Sequence, residues 1–440
     1  MSGGTVLRGL AATGVLLVQL VGCNAKPKGG AAPPGSASAV SSAAQAATCI
    51  DPDAKACLER AKQLDFGTGG HGIDKEAAIR LYRGACDRKV AEACTVLGDL
   101  YFVGEGSAKE DNTKAAALYQ TACEGGHALG CLNWGSILAA TLDGIVVDKV
   151  KSQQAYDTAL SLRKANCEKA DALRCMELAL GYESGTGPIA ANKPLAAVAF
   201  AKAAKLAQEA CDKQDNAACN VVGFLYLNGK GELPVDKPKA MAIFERACEA
   251  GNVDGCLNTG QGHEFGFNGT KSLPKATTSY EKACGMGHGE ACYRVASLYL
   301  ASGPQRDPTK GAARLQAGCD RRNAAACNDL GVMFADGTDV PKDLSKAVAN
   351  YRRGCNLGNS IACENFKFMN RKVEGEKAAT EFRKTLKTGS DSHCGLVIEV
   401  KDPIAKVQTM IGEKWLKVEQ LYPKGQASCR FVNGVYQEPK

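Results

Sequence analysis

Histidine is scarce in this 440-residue chain: there are five, and they follow no ligand spacing. No Cys-x2-Cys, His-Glu-x-x-His, phosphate-binding glycine loop or Gly-x-Ser-x-Gly occurs. These gaps take away the usual sequence signatures of zinc sites, nucleotide loops and serine-hydrolase elbows, so no metal or cofactor is implied. The formal charge of +7 comes from dispersed lysines and arginines that are not interleaved with aromatics, which argues against nucleic acid. Evenly solvated helix faces account for these charges, with at most a mild pull toward anionic envelope polymers. Long apolar runs are also missing, since the one from Leu10 to Gly22 is too short to span a bilayer.

That run follows Arg8 and reads as the h-region of an export signal. It closes on Leu20-Val21-Gly22-Cys23, which resembles a bacterial lipobox, with cleavage before Cys23 and a diacylated thiol as the implied processing. An ordinary signal peptide with another cut site is the alternative, and both export the chain. Residues 24–47 are rich in Ala, Pro, Gly and Ser and hold no aromatic, so they read as a tether that cannot bury a core.

Cysteine is what the chain has in plenty. Nine times it appears as Cys-x7-Cys: Cys49 with Cys57, Cys86 with Cys94, Cys123 with Cys131, Cys167 with Cys175, Cys211 with Cys219, Cys248 with Cys256, Cys284 with Cys292, Cys319 with Cys327 and Cys355 with Cys363. Eight residues of continuous helix would hold the Cα atoms about 12 Å apart, and a disulfide needs roughly 4.4–6.8 Å, so the chain must reverse between the two cysteines. Cys394 and Cys429 make a tenth pair, leaving only Cys23. In an exported chain disulfides are the default reading of such pairs.

Counted from the second cysteine of each pair, units recur every 35 to 44 residues, a solenoid period. Four residues on stands a small residue (Gly98, Gly223, Gly260, Gly331), and seven on a large one (Tyr101, Tyr226, His263, Phe334). Ten residues on, a glycine ends the first helix in six of eight units, with Thr141 among the exceptions. A second helix opens near a Lys-Ala or Glu-Ala step and carries Tyr82, Tyr119, Phe244, Tyr280 or Tyr351 before it meets the next cysteine. Units starting near Cys131 and Cys175 hold extra residues, so longer helices or an inserted turn are expected there.

The stretch Cys94-Thr95-Val96-Leu97-Gly98-Asp99-Leu100-Tyr101-Phe102-Val103-Gly104-Glu105-Gly106, with Lys114-Ala115-Ala116-Ala117-Leu118-Tyr119, resembles a Sel-one-like repeat, a longer relative of the tetratricopeptide repeat. The paired cysteines resemble the cysteine-rich Hcp family of the same repeats. The resemblance implies an all-α, right-handed solenoid whose first helices line a concave face. In the tetratricopeptide register, positions one, five and eight after each cysteine face that groove: Thr95, Asp99, Phe102, Asn220, Phe224, Leu227, Leu257, Gln261, Glu264, Tyr293, Ser297, Leu300, Asn328 and Val332. Such a mixture of polar groups and rings suits peptide or glycan capture, while ordinary solvent-facing residues would look the same.

The same resemblance raises penicillin binding and β-lactam hydrolysis as an alternative activity. Ser-x-x-Lys occurs at Ser161–Lys164 and Ser272–Lys275, without Ser-Asp-Asn or Lys-Thr-Gly. His263 with Glu264 could suggest a base, but His263 stands where other units hold a packing ring. His127 and His288 fall where Asn252 and Asn359 fall elsewhere and read as helix caps.

After Lys387 the pattern alternates: Leu396, Ile398 and Val400 on one face, then Ala405, Val407 and Thr409, then Leu416 and Val418. This predicts a small β module that faintly resembles a bacterial SH3-like barrel, either covering the end of the solenoid or binding a wall peptide through Trp415 and Tyr422. The expected organisation is 1–23 signal and lipobox, 24–47 tether, 48–387 eight helix pairs plus a terminal helix, and 388–440 β module. The expected role is a lipid-anchored binding scaffold of the bacterial envelope for proteins, peptides or peptidoglycan fragments. An outer-membrane site facing the periplasm is favoured, with surface display as the variant.

Overall fold

The computed structural model describes Cys49 and residues 53–169, 171–185, 187, 190–425, 427, 429–432 and 435–437. Residues 1–48, including Cys23 and the expected tether, lie outside the described residues. Among the described residues seventeen helices follow one another: α1 (Ala54–Phe66), α2 (Lys75–Asp87), α3 (Ala91–Val103), α4 (Asn112–Glu124), α5 (Ala128–Ala139), α6 (Lys149–Glu168), α7 (Ala172–Ser184), α8 (Lys193–Asp212), α9 (Asn216–Asn228), α10 (Lys237–Glu249), α11 (Val253–Phe265), α12 (Leu273–Gly285), α13 (Gly289–Leu300), α14 (Pro308–Asp320), α15 (Ala324–Asp336), α16 (Leu344–Asn356) and α17 (Ser360–Lys384). They pair as eight units, α1/α2 through α15/α16, and α17 ends the array.

The loop glycines do what their spacing predicts. Gly67, Gly104, Gly229, Gly266 and Gly337 adopt left-handed backbone directly after the first helix of their unit. Where the glycine is replaced, by Thr141 or Ser302, the first helix is one residue shorter and stops on an extended alanine, Ala140 or Ala301. Second helices are started by a side chain: Asp74, Asp111, Asp148, Asn192, Asp236, Asp307 and Asp343 each accept a backbone N–H from the first turn. That satisfies one orphan donor and places a carboxylate at the positive end of most of these helices.

The small residue and the ring belong to one joint. A Cβ on Gly98, Gly223, Gly260 or Gly331 would sit 2.4–2.7 Å from the ring of Tyr119, Phe244, Tyr280 or Tyr351 on the second helix of the same unit. The glycine is therefore the seat of the ring. Gly260→Ala is expected to cost about 1–3 kcal/mol in chemical unfolding. Gly375→Ala, on α17 with nothing within 4 Å, should be neutral or stabilising by about 0.5–1 kcal/mol. Equal effects would remove the ring-seat account.

All ten cysteine pairs are bonded, with Cα separations of 4.3–5.6 Å. Eight of the nine short bridges join the end of one unit's second helix to the first helix of the next. Cys211 of α8 thus holds Cys219 of α9, Cys248 of α10 holds Cys256 of α11, Cys319 of α14 holds Cys327 of α15, and Cys355 of α16 holds Cys363 of α17. Cys219, Cys256, Cys327 and Cys363 are all buried in the first turn or so of their helices, so each bridge is sealed inside the seam that it closes.

The longer units carry longer second helices: α6 and α8 have 20 residues where α2, α4 and α10 have 13. The added seven residues lie between the ring, Tyr156 or Phe200, and the cysteine. Seven residues are almost two turns, so the buried face keeps its phase and the next unit starts about 10 Å further along the helix axis.

Strands β1 (Asp391–Ser392), β2 (Gly395–Lys401), β3 (Ile404–Thr409) and β4 (Gly412–Lys417) form an antiparallel meander in that order, and β5 (Arg430–Val432) pairs with β6 (Val435–Gln437). Ala405, Val407 and Leu416 are buried as their alternation predicts. Leu396 is not: it is exposed and Val397 is buried, because the β2–β3 register shifts between Val397 and Glu399, and a bulge resets which residues face inward. The module is fastened to the last turns of α17. Arg383 Nε donates to the Leu421 carbonyl at 3.0 Å, and the Tyr422 hydroxyl donates to Glu376 at 3.1 Å. Tyr422 is thus part of the attachment, and Ile361 and Phe368 of α17 remain exposed.

Candidate interaction surface

Successive first helices touch, α3 with α5, α7 with α9, α9 with α11 and α15 with α17, whereas among second helices only α4 and α6 do so to a similar degree. The first helices therefore take the inside of the curve, where the candidate residues lie. Many of them already have partners. Asn220 is buried and accepts from Asn258 Nδ2 at 2.8 Å; Asn328 is buried and accepts from Asn365 Nδ2 at 3.0 Å. Asp99 accepts from the Tyr119 hydroxyl at 2.8 Å and from Asn133 Nδ2 at 3.0 Å. Glu264 accepts from the Tyr280 hydroxyl at 2.5 Å, with Arg294 at 3.7 Å. Thr95 is buried and bonds His127 Nδ1 at 2.7 Å, while Leu257 and Gln261 are buried outright.

A ladder of polar contacts thus runs from unit to unit along the inner face. Its asparagines, Asn133, Asn258 and Asn365, stand two residues after a cysteine, a Cys-x-Asn signal visible in the sequence that the one-five-eight register passes over. What the ladder leaves accessible is aromatic and small: Phe102, Phe224, Leu227, Tyr293 and Leu300 are half-buried, and Ser297 and Val332 are exposed.

Burial pushes the Asp99 carboxyl up to about 6 against the opposing Tyr119 hydroxyl, Arg322 guanidinium and Asn133 amide. A raised folded value means its stabilising contribution is complete below about pH 4 and is lost as pH rises through about 6. Asp99→Asn keeps an acceptor for Tyr119 and Asn133 without the charge. It is expected to stabilise the protein by up to about 3 kcal/mol at pH 7, the gain vanishing toward pH 4. Unfolding curves of both proteins at pH 4 and 7 check this.

The remaining candidates separate. His263 is buried, 3.6 Å from Glu245, and burial lowers its imidazole more than that carboxylate raises it. His288 does cap α13, its Nδ1 accepting from Ala291 N–H at 3.3 Å. His127 stands at the cap position of α5 without a side-chain cap bond, because Thr95 takes its Nδ1. Ser161 is exposed on α6 and its hydroxyl donates to the Asp157 carbonyl; Ser272 opens α12 with Lys275 exposed one turn on.

A family model described as the Sel1 repeat matches residues 54–90, 91–127, 175–215, 216–252, 289–315 and 324–359. The chain is a Sel1-repeat protein. The unmatched stretches between these repeats hold α5/α6 and α11/α12, which fold as helix pairs of the same kind. The many disulfides fit the cysteine-rich, Hcp-like branch of these repeats. No curated protein matches the chain. Among solved structures it is similar to c5321, a protective antigen of uropathogenic Escherichia coli displaying an SLR fold (20% identity, 80% of this chain and 71% of that one, TM-score 0.36). It is also similar to a Sel1-repeat protein from Oxalobacter formigenes (23% identity, 76% and 91%, TM-score 0.37). As a Sel1-repeat array the chain is a scaffold suited to protein–protein interaction. Its disulfides fit an oxidising compartment, and among the described residues no helix is long and apolar enough to cross a membrane.

Proposed function

We propose that this Sel1-repeat protein is an exported scaffold of the bacterial envelope, lipid-anchored through Cys23 to the outer membrane, that binds an envelope protein or peptide on its inner face. The observation that supports binding there is the half-buried row of Phe102, Phe224 and Tyr293 beside polar groups already fixed by the inter-unit ladder. Rings held on rigid helices supply contact area at little entropy cost, and neighbours already hydrogen-bonded lower the desolvation cost of binding. A photo-crosslinking phenylalanine analogue at Phe224 or Tyr293 should yield discrete adducts in intact envelopes. The same analogue at Val198, exposed on α8, should not. Adducts of equal yield at all three positions would sink the inner-face reading. Loss of fatty-acid labelling in Cys23→Ser tests the anchor separately.

A further inference from the structure

The coil returns on itself. The loop edge of units 1 and 2 meets the disulfide edge of units 7 and 8, across 217 to 257 residues of chain. Arg322 reaches Asp65 at 2.7 Å and Glu105 at 3.2 Å; Arg353 reaches Glu105 at 2.8 Å and Asp320 at 3.0 Å. Lys75, 2.6 Å from Asp65, donates to the Asp320 carbonyl at the end of α14, and Asn356 donates to the Val103 carbonyl at 2.9 Å. Phe66 lies under the Arg322 guanidinium. Asp65 and Glu105 are buried, so this is a packed junction and not a surface ion pair.

Two features of the chain are fitted to this junction. The first is Arg322 itself. Three residues after the first cysteine of a pair the backbone is left-handed; Gly126, Gly251, Gly287 and Gly358 occupy that position in four units, and Lys89 and Gln214 hold it in two others without reaching a distant unit. Arg322 stands there with φ of 61°, a conformation that costs a non-glycine residue local stability. Its side chain serves a distant contact at the expense of its own turn.

The second is the length of α6 and α8. Their extra turns displace every later unit toward the disulfide edge, by about 10 Å at each step and about 21 Å in all. Units 7 and 8 lie on the loop side of units 1 and 2, so this displacement brings them back against the first units. At the 37-residue period of the first units the two edges would stand apart by about that distance, roughly the length of a 13-residue helix.

We propose that the two lengthened helices and the Asp65–Glu105–Arg322–Arg353 cluster form a latch that closes one turn of the coil and controls how far the inner face opens. Two variants test it in the oxidised protein by amide hydrogen exchange and small-angle scattering. Arg322→Gly restores the repeat's usual residue, so a purely local role predicts a calmer turn. The latch predicts exchange about tenfold or more faster at residues 66–70 and 103–108, with a larger radius of gyration. Deleting Thr158–Lys164 and Lys202–Gln208 returns α6 and α8 to the common length and phase, and should open the same segments with Arg322 intact. If the double deletion does not fold, deletion in α8 alone removes half the offset and decides the same point. Exchange unchanged at 66–70 and 103–108 in Arg322→Gly would overturn the latch, and unchanged exchange in the deletion would overturn the role of the long helices.

Discussion

Asp65→Ala is expected to destabilise the protein by about 3–5 kcal/mol, the range for breaking a buried ion pair from one side. Asp65 is fully buried on α1 and takes the Tyr82 hydroxyl at 3.1 Å, the Lys75 ammonium at 2.6 Å and the Arg322 guanidinium at 2.7 Å. Truncation leaves a buried guanidinium with Glu105 as its remaining close carboxylate and strands a tyrosine hydroxyl in the core of unit 1. The measurement is chemical unfolding at pH 7, with Arg322→Gly and the double variant completing a cycle. Coupling below about 0.5 kcal/mol would mean that the two groups do not depend on each other.

The same cluster fixes a pH dependence. Burial alone would raise the Asp65 carboxyl, but Arg322 and Lys75 beside it hold it below the usual range. Glu105 is likewise held low against its burial by Arg322, Lys75 and Arg353. Depressed folded values contribute stability above the unfolded value near pH 4 and lose it as pH falls through the folded ones. The junction should therefore loosen in acid, with exchange at 103–108 rising below about pH 4. Asp99 works with the opposite sign between about pH 4 and 6, so Asp99→Asn flattens the upper limb of the profile and leaves the acid limb unchanged.

What the sequence reveals of this protein is what each unit repeats. The cysteine pairs, the small seat, the loop glycine and the second-helix ring recur at fixed offsets, and their period leads to helix, loop, helix, with longer helices or an inserted turn in the units starting near Cys131 and Cys175. What it hides has either a single occurrence or a distant partner. The bulge at Val397–Glu399 inverts one strand by one residue without altering its alternating composition. Asn133 becomes meaningful only when Asp99, 34 residues earlier, is seen to accept its amide. Arg322 reads as one more surface arginine until Asp65 is found against it, since Lys89 and Gln214 fill the same slot in other units and the residue type alone does not single it out.

Full reduction is expected to unfold the protein at 37 °C. Each Cys-x7-Cys bridge closes a short loop worth about 2.5 kcal/mol on the chain-entropy model, so nine together exceed the roughly 5–15 kcal/mol that natural domains keep in reserve. A solenoid cannot spread that loss over one large core. Each unit contacts chiefly its neighbours, and alanine is the commonest residue of its buried set, as at Ala61, Ala93, Ala122, Ala283 and Ala326, each of which removes little apolar area from water. Far-UV circular dichroism with a phosphine reductant at 37 °C should show most of the helical signal gone; a signal retained above half would mean that packing alone suffices. Single pairs should grade the effect. Cys284→Ala with Cys292→Ala opens a seam between two helices and is expected to cost about 2–3 kcal/mol. Cys49→Ala with Cys57→Ala removes a bridge that does not join two of the described helices, and should cost less.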